Sequence, residues 1–337
     1  MTVAIVILNF NGSGYLQQFI PGVIAHSTGA RIIVADNGSK DGSLLLLEKE
    51  FPTVECIALP HNLGFCQGYN EALKQVEADY FVLLNSDVET TPGWLEPVLS
   101  QMEANPAIAA AQPKIRSFRQ RDHFEYAGAA GGHIDWLGYP FCRGRVFDTV
   151  EKDEGQYNEP EPIFWATGAC LFIRAGAFRE AGGFDGDFFA HMEEIDLCWR
   201  LRRKGFTILA VPQSVVYHVG GGTLAADNPQ KTYYNFRNGL TLLLKNLPAK
   251  NLLIILPLRL LLDWAAMFRF FLSGYPRHGL AVMRAHIEFV GNSRRHLKKR
   301  NSSHTPFFDR DPLIFRRSVV LRYFIARRQT YHALLNQ

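Results

Sequence analysis

RIIVADNGSKDGSLLLLEKEF (Arg31–Phe51) reads as a strand, a turn and a helix in one short stretch. Arg31–Asp36 is almost continuously apolar, the pattern of a strand covered on both faces. Glycines and Ser39 then turn the chain, with Asp41 placed to cap the helix over Ser43–Phe51. The same alternation extends to either side. VAIVIL (Val3–Leu8), VECIAL (Val54–Leu59) and YFVLLN (Tyr80–Asn85) are further strand candidates, and Phe65–Val76 is helix-like. Strand–helix–strand repetition at this spacing predicts an α/β fold with a mostly parallel central sheet and right-handed crossovers. Ligands of such sheets sit beyond the carboxyl ends of the strands. Three of the strands end in polar residues there: Asn9 and Asn11, Asp36 and Asn37, then Asn85, Ser86 and Asp87.

Composition sets the outer limits. The chain has 337 residues, 47% hydrophobic and 20% charged, enough for one large domain and an appendage. MTVAIVILNF lacks a basic n-region and a small-residue cleavage site, so it reads as a buried strand rather than a signal peptide. Five cysteines without CxxC spacing suit buried free thiols in a reducing cytoplasm. The net charge of +4 hides an asymmetry. From Arg237 onward there are 18 Lys+Arg against 4 Asp+Glu, and the remainder carries 18 against 28. A basic tail on an acidic body predicts an anionic surface as the tail's partner.

Five separated stretches carry the chemistry. ADNGSKDG delivers Asp36 at a strand tip, where a carboxylate can accept from a nucleobase N–H. In HNLGFCQGYNEAL, Gly64 and Gly68 predict close backbone approach, with a helix N-terminus offered to phosphate. LLNSDVE puts Asn85 and Asp87 on one side of a strand end, suited to a hard divalent cation. FFAHMEEIDLCWRLRRKGF opens a helix with Glu193, Glu194 and Asp196 and ends it with bases. Macrodipole complementarity explains the charge order, yet a carboxylate behind an aromatic, apolar entry also suits a general base. In VVYHVGGGT, His218 ends an apolar strand and is followed by glycines that leave it room to face a ligand.

In this order, the motifs resemble family 2 glycosyltransferases, particularly the rhamnosyltransferase-like branch that builds bacterial surface polysaccharides. The resemblance runs from about Val3 to Asn238. It implies a GT-A fold and an inverting, metal-dependent transfer of a sugar, rhamnose or another hexose or deoxyhexose, from a nucleotide diphosphate donor to an acceptor hydroxyl. The acceptor it implies is a saccharide or lipid-linked saccharide. Asp36 would read the nucleobase; the nucleotide contacts expected with it are Leu8, Asn9, Asn11, Gly64, Gly68, Asn85 and Ser86. The D-x-D metal motif falls on Asn85-Ser86-Asp87, so ligation of Mg2+ or Mn2+ rests on Asp87, with His218 as a second ligand. Glu193 and Glu194 match the paired acids, the second being the base. WATGACLFIR, with Trp165, Thr167 and Gly168, matches the segment lining the donor sugar, and Asp196 is placed with it. YYNFRNGL matches a segment near the diphosphate or acceptor, with Arg237 and Asn238 foremost.

Residues 1–238 are thus expected as the catalytic domain, with about 117–161 an irregular hairpin or flap over the site. Residues 239–337 are expected as a helical, basic, amphipathic region. Within it, Leu252–Leu272 is long enough to span a bilayer. Arg259, Asp263 and Arg269 interrupt it, each costing about 2.5–3.5 kcal/mol at a helix centre, and at about 100° per residue they share one sector. A helix lying in the membrane interface fits better, with Arg294–Arg300 and Ile314–Arg328 on anionic lipid. Peripheral placement on the inner face of the plasma membrane follows; packing on the catalytic domain or in a homodimer is the alternative. No nucleic-acid partner is expected. A catalytically silent sugar- or lipid-binding relative is the rival reading, and it would have no need of Asp87, Glu194 and His218 together. A dinucleotide oxidoreductase would need GxGxxG where NFNGSG stands.

Overall fold

A computed structural model describes residues 1–220, 228–300 and 307–336. β1 (Val3–Asn9), α1 (Ser13–His26), β2 (Arg31–Asp36), α2 (Ser43–Glu50), β3 (Glu55–Ala58), α3 (Gly64–Leu73) and β4 (Tyr80–Asn85) alternate as the sequence predicts. β1 pairs in parallel with β2 and with β4, and β2 with β3. The spatial order is therefore 3-2-1-4, and the chain reverses its progress across the sheet between β1 and β4. Asn9 and Asn85 end the two strands that flank this switch point, where a crevice opens in such sheets.

The chain continues through β5 (Val88–Thr90), α4 (Leu95–Ala104), β6 (Ile108–Ser117), β7 (Gly132–Asp135), β8 (Pro140–Cys142), β9 (Arg145–Val146), β10 (Thr149–Val150), β11 (Glu161–Ile163), β12 (Cys170–Arg174), α5 (Ala175–Glu180), α6 (Glu193–Arg203) and β13 (Thr207–His218). Past β4 the sheet is mixed. β12 lies antiparallel between β4 and β6, β6 pairs in parallel with β13, and β5 and β11 run antiparallel to β13. β13 is a single strand over Thr207–His218, with a register shift between Val211 and Val215 where Pro212 has no N–H to donate. β12 begins at Cys170. Before it, Thr167 N donates to Gln112 Oε1 and Ala169 N to Thr167 Oγ1, so side chains replace the ladder.

The sheet is buried on both faces because its strands alternate between two apolar clusters. Val3, Ile5 and Ile7 pack with Leu16, Ile20, Val98 and Met102 of α1 and α4. Ala4 and Val6 pack with Cys66, Tyr69, Phe178 and Leu197 of α3, α5 and α6. The second cluster runs on beneath a smaller sheet. Residues 117–161, expected to be irregular, supply the antiparallel run β7–β10. A helical C-terminal extension follows: α7 (Pro229–Asn246), α8 (Ala249–Leu272), α9 (Pro276–Lys298), α10 (Phe307–Arg310), β14 (Ile314–Phe315), α11 (Val319–Phe324) and α12 (Tyr331–Leu335). β14 completes the small sheet by pairing in parallel with β7, and α7 crosses the expected boundary at 238. Four cysteines are buried and none is disulfide-bonded; Cys56, on the edge strand β3, is exposed, against expectation.

In α8 the interrupting charges turn inward. Arg259 and Asp263 are buried, their Nε and Oδ1 3.0 Å apart, and Tyr139 OH donates to the same carboxylate at 3.1 Å. Arg269, the third of the group, is exposed, with its guanidinium 5.2 Å from the Phe324 ring centroid. Leu253, Ile254, Leu258, Leu261, Trp264, Phe268 and Leu272 face outward, beside Leu280, Met283, Ile287 and Val290 of α9. By length and composition α8 could cross a membrane, and only 17% of its apolar window is buried.

Candidate active site

The switch point is built from two turns knitted together. Asn9 Nδ2 donates to Asp36 Oδ1 at 2.9 Å, and Ser39 N donates to Asp36 Oδ2 at 2.9 Å. Asn11, at φ 51, a conformation asparagine tolerates, donates its N–H to Ser39 Oγ and accepts from Lys40 N, both at 2.8 Å. Asp41 accepts from Ser13 N at 2.8 Å and from Ser43 N at 3.1 Å, but the cap position of α2 itself is taken by Gly42, so Asp41 ties the two turns together from one residue further out. Asp36 is 1% exposed and faces these internal donors. In this conformation it shapes the pocket wall rather than projecting into the crevice.

Across the crevice, β4 hands over to the metal-binding candidates. Asp87 Oδ1 and His218 Nε2 are 3.1 Å apart, and Asn85 Nδ2 lies 3.4 Å from the same nitrogen. On the other edge of the imidazole, Glu125 Oε2 is 3.1 Å from Nδ1, close enough for an ion pair though not aligned as a hydrogen bond. Burial opposes a charge on His218, but Asp87 and Glu125 outweigh it and lift its pKa to about 10. Gly221, Gly222 and Thr223, the end of the glycine motif, lie outside the described residues.

These groups fit a hard divalent cation. Neighbouring ligands on a six-coordinate Mg2+, with bonds of about 2.1 Å, stand about 3 Å apart, which is the Asp87–His218 separation. No cluster of three or more His, Cys, Asp or Glu forms a complete metal site among the described residues. Asp87 and His218 would supply two ligands, with the other positions open to donor oxygens and water. Ligation would require a neutral imidazole, so binding would release a proton from His218.

Glu193 and Glu194 open α6 behind a strained loop. Phe189, His191 and Met192 all have positive φ, at 62°, 69° and 71°. Glu193 is 5% exposed and Glu194 only partly buried, so Glu194 is the more approachable of the two. Each has an Oε2 without a hydrogen-bond partner. Burial pushes both pKa values up: Glu194 to about 7, and Glu193 further under the added repulsion of Glu194. A Cβ placed on Gly168 would lie 3.9 Å from Glu193 Oε1, and the next residue, Ala169, accepts from Asn85 N. The first turn of α6, residues 165–169 and the tip of β4 are therefore contiguous.

Several expected contacts serve the framework instead. The N-terminus of α3 is not open to phosphate: Phe65 N and Cys66 N donate to Phe189 O, and Gly64 N donates to Asn62 Oδ1. A Cβ on Gly64 would strike the Phe189 ring at 2.6 Å, and one on Gly68 would meet Leu8 Cδ1 at 2.9 Å, so both glycines, and Leu8, are packing residues. Ser86 Oγ would stand 3.5 Å from a Cβ on Gly12, at the crevice itself. Trp165 is buried over Gly132 and donates to His133 O, while Thr167 is buried against Gly128. Asp196 is fully buried among Arg200, Lys245 and Asn246. Arg237 and Asn238 do not reach outward either. Arg237 donates to the carbonyls of Asp187 and Phe188, and Asn238 Nδ2 to those of Phe188, Ala190 and His191. They clamp the strained loop. Sequence reading missed Glu125, which sits among aromatics with no periodicity to single it out, and Ser39, which looked like an ordinary turn residue.

The comparisons agree with this geometry. The sequence profile "Glycosyl transferase family 2" matches residues 4–182. The N-acetylglucosaminyl-diphospho-decaprenol L-rhamnosyltransferase of Mycobacterium tuberculosis is 28% identical over 64% of this chain and 75% of its own length. Rhamnosyltransferase WbbL of Escherichia coli is 25% identical over 64% of this chain and 83% of its own. A mannosyltransferase of Pyrobaculum calidifontis, solved with GDP-Man and Mn2+, superposes with a TM-score of 0.53 at 12% identity, over 89% of this chain and 84% of that one. Together with a profile spanning more than half of the sequence, the fold and the motif order establish that this chain belongs to glycosyltransferase family 2.

Proposed function

We propose that this glycosyltransferase inverts the anomeric configuration, moving a deoxyhexose such as rhamnose from a nucleoside diphosphate to a hydroxyl of a lipid-linked saccharide. The observation that carries this reading is the direct Asp87–His218 contact at the switch point of the sheet. These two residues would hold a Mg2+ or Mn2+, which supplies charge neutralisation for the departing diphosphate. Glu194, with a carboxyl near neutrality and a free oxygen, accepts the proton of the acceptor hydroxyl as it attacks the anomeric carbon. Glu193 stays protonated beside it and limits the charge of the pair. Asn9, Asp36 and Ser39 fix the turn against which the nucleoside lies. The rhamnosyltransferase names of the two relatives support the sugar.

The acceptor end belongs at a membrane. With Arg259 and Asp263 satisfied inside the protein, the outward face of α8 and α9 is apolar and flanked by basic residues such as Arg294 and Arg295. That is the profile of an interfacial helix pair on anionic lipid at the cytoplasmic side. Residues 1–238 form the catalytic part in this reading, and the remainder anchors it.

A screen of nucleotide sugars for Mg2+- or Mn2+-dependent hydrolysis tests the proposal, with dTDP-rhamnose expected to turn over. Proton NMR of the transfer product reads the anomeric configuration. Retention, or turnover undiminished by a chelator, refutes it.

A further inference from the structure

Beside the metal-binding candidates lies a buried cation with no acid in contact among the described residues. Arg145 is 7% exposed; its Nε donates to Tyr126 O at 3.0 Å and its Nη2 faces Cys142 Sγ at 3.7 Å. Among the described residues no carboxylate pairs with it, and Nη1 donates to nothing yet is not sealed from solvent. Burying a guanidinium without a counter-charge is costly, which marks this one as having a use. A second cation shares its aromatic support. Arg145 Cζ is 4.3 Å and Lys231 Nζ is 5.0 Å from the centroid of the half-exposed Tyr126 ring. Two like charges on one ring repel each other. Glu125 acts on both at longer range, but its carboxylate faces His218. Lys231 also stands in the first turn of α7, an 18-residue helix whose dipole adds positive potential there.

The position of the pair narrows its ligand. Tyr126 follows Glu125, which touches His218 on the imidazole edge opposite Asp87. Lys231 also acts on His191: burial first, and the charge of Lys231 second, lower the His191 pKa to about 4. His191 belongs to the loop that leads into Glu193 and Glu194. The pair therefore stands close to both His218 and the loop that leads to the base, by way of Glu125 on the imidazole edge away from Asp87. A single carboxylate would be matched by one cation; two cations side by side suit a phosphate or diphosphate.

We propose that Arg145, Lys231 and Tyr126 form a second anion subsite, which takes the phosphate or diphosphate group of the acceptor while the donor's diphosphate occupies the Asp87–His218 end. This rests on the glycosyltransferase reading above, and it means that the acceptor is recognised as a phosphorylated saccharide, not only through its sugar.

Calorimetry with inorganic pyrophosphate tests it, using full-length protein saturated with dTDP or UDP and Mg2+ in excess of both. Wild type is expected to bind pyrophosphate with the nucleotide in place. Lys231→Ala should weaken that binding at least tenfold and leave nucleotide affinity within about twofold. Arg145→Lys, checked for folding by its melting curve, should weaken it as well. Pyrophosphate that simply competes with the nucleotide, or that binds Lys231→Ala as tightly as wild type, overturns the second subsite. Absence of nucleotide binding would instead indict the glycosyltransferase reading, so the two failures are distinguishable.

Discussion

Replacing Glu194 by Gln should stabilise the protein while disabling it, and both effects follow from one buried carboxyl. Burial holds Glu194 near 7, above the ordinary 4.5. Between those values the folded state keeps a proton that the unfolded chain releases, so the wild-type contribution is full below about 4.5 and is lost as pH rises through 7. At about 1.4 kcal/mol per pH unit, the loss amounts to about 3 kcal/mol. Partial exposure of the side chain reduces this to about 2 kcal/mol. Glutamine does not ionise and escapes the loss. Glu194→Gln should therefore match wild type in stability at pH 4 and exceed it at pH 8, with Tm higher by about 4 °C or more. Its kcat should fall by about 10²–10⁴-fold. Wild-type kcat should rise with pH through about 7 as the base ionises. Paired melts at pH 4, 6 and 8, beside initial rates, decide the matter. A Tm difference that does not change with pH would refute the perturbed carboxyl, and near-normal turnover would refute its role as base.

Asp87→Ala removes one of the two proposed metal ligands, so Mn2+ should no longer raise the Tm in the presence of nucleoside diphosphate; an undiminished metal-dependent shift counts against the assignment. Asn238→Ala strips three carbonyls of the strained loop of their shared donor. Its kcat should fall by about 10²-fold through misplacement of Glu194 with donor KM nearly unchanged, and equal kcat would show that the loop holds itself. Gly68→Ala should destabilise by about 1–3 kcal/mol through overpacking on Leu8 and Asn37, read by denaturant titration. Ile254→Ser, Leu261→Ser and Phe268→Ser combined should abolish co-flotation with anionic liposomes without lowering Tm, because these side chains already face outward; retained flotation rejects the α8 face.

What could be read from the sequence followed periodicity. The apolar runs gave β1, β2 and β4 because a strand buried on both faces has few polar positions to confuse it, and its polar end marks the crevice; β3 followed from the alternation although it is an exposed edge strand. Asp87 and His218 were legible because they stand at the ends of such strands. The glycines misled. Gly64 and Gly68 looked like a phosphate cradle, but a helix packed closely on Phe189 and Leu8 needs glycine for the same steric reason. Arg237 and Asn238 were expected as ligand contacts only through the family resemblance; their carbonyl partners come from a loop about 50 residues earlier, which no local pattern announces. The small sheet stayed hidden for a similar reason. Its strands are two to four residues long, too short for alternation to register.

That small sheet also sets a timetable for biogenesis. β7 finds its parallel neighbour in β14, Ile134 opposite Ile314, so some 180 residues must emerge from the ribosome before this edge is covered. Asp135 likewise waits for Val319 N. Closure over so long a span is entropically slow, whereas β1 to β4 pair with neighbours already synthesised. The nascent chain should thus carry a formed β1–β4 layer and an unfinished small sheet, its naked strand edge open to aggregation until Ile314–Val319 emerges.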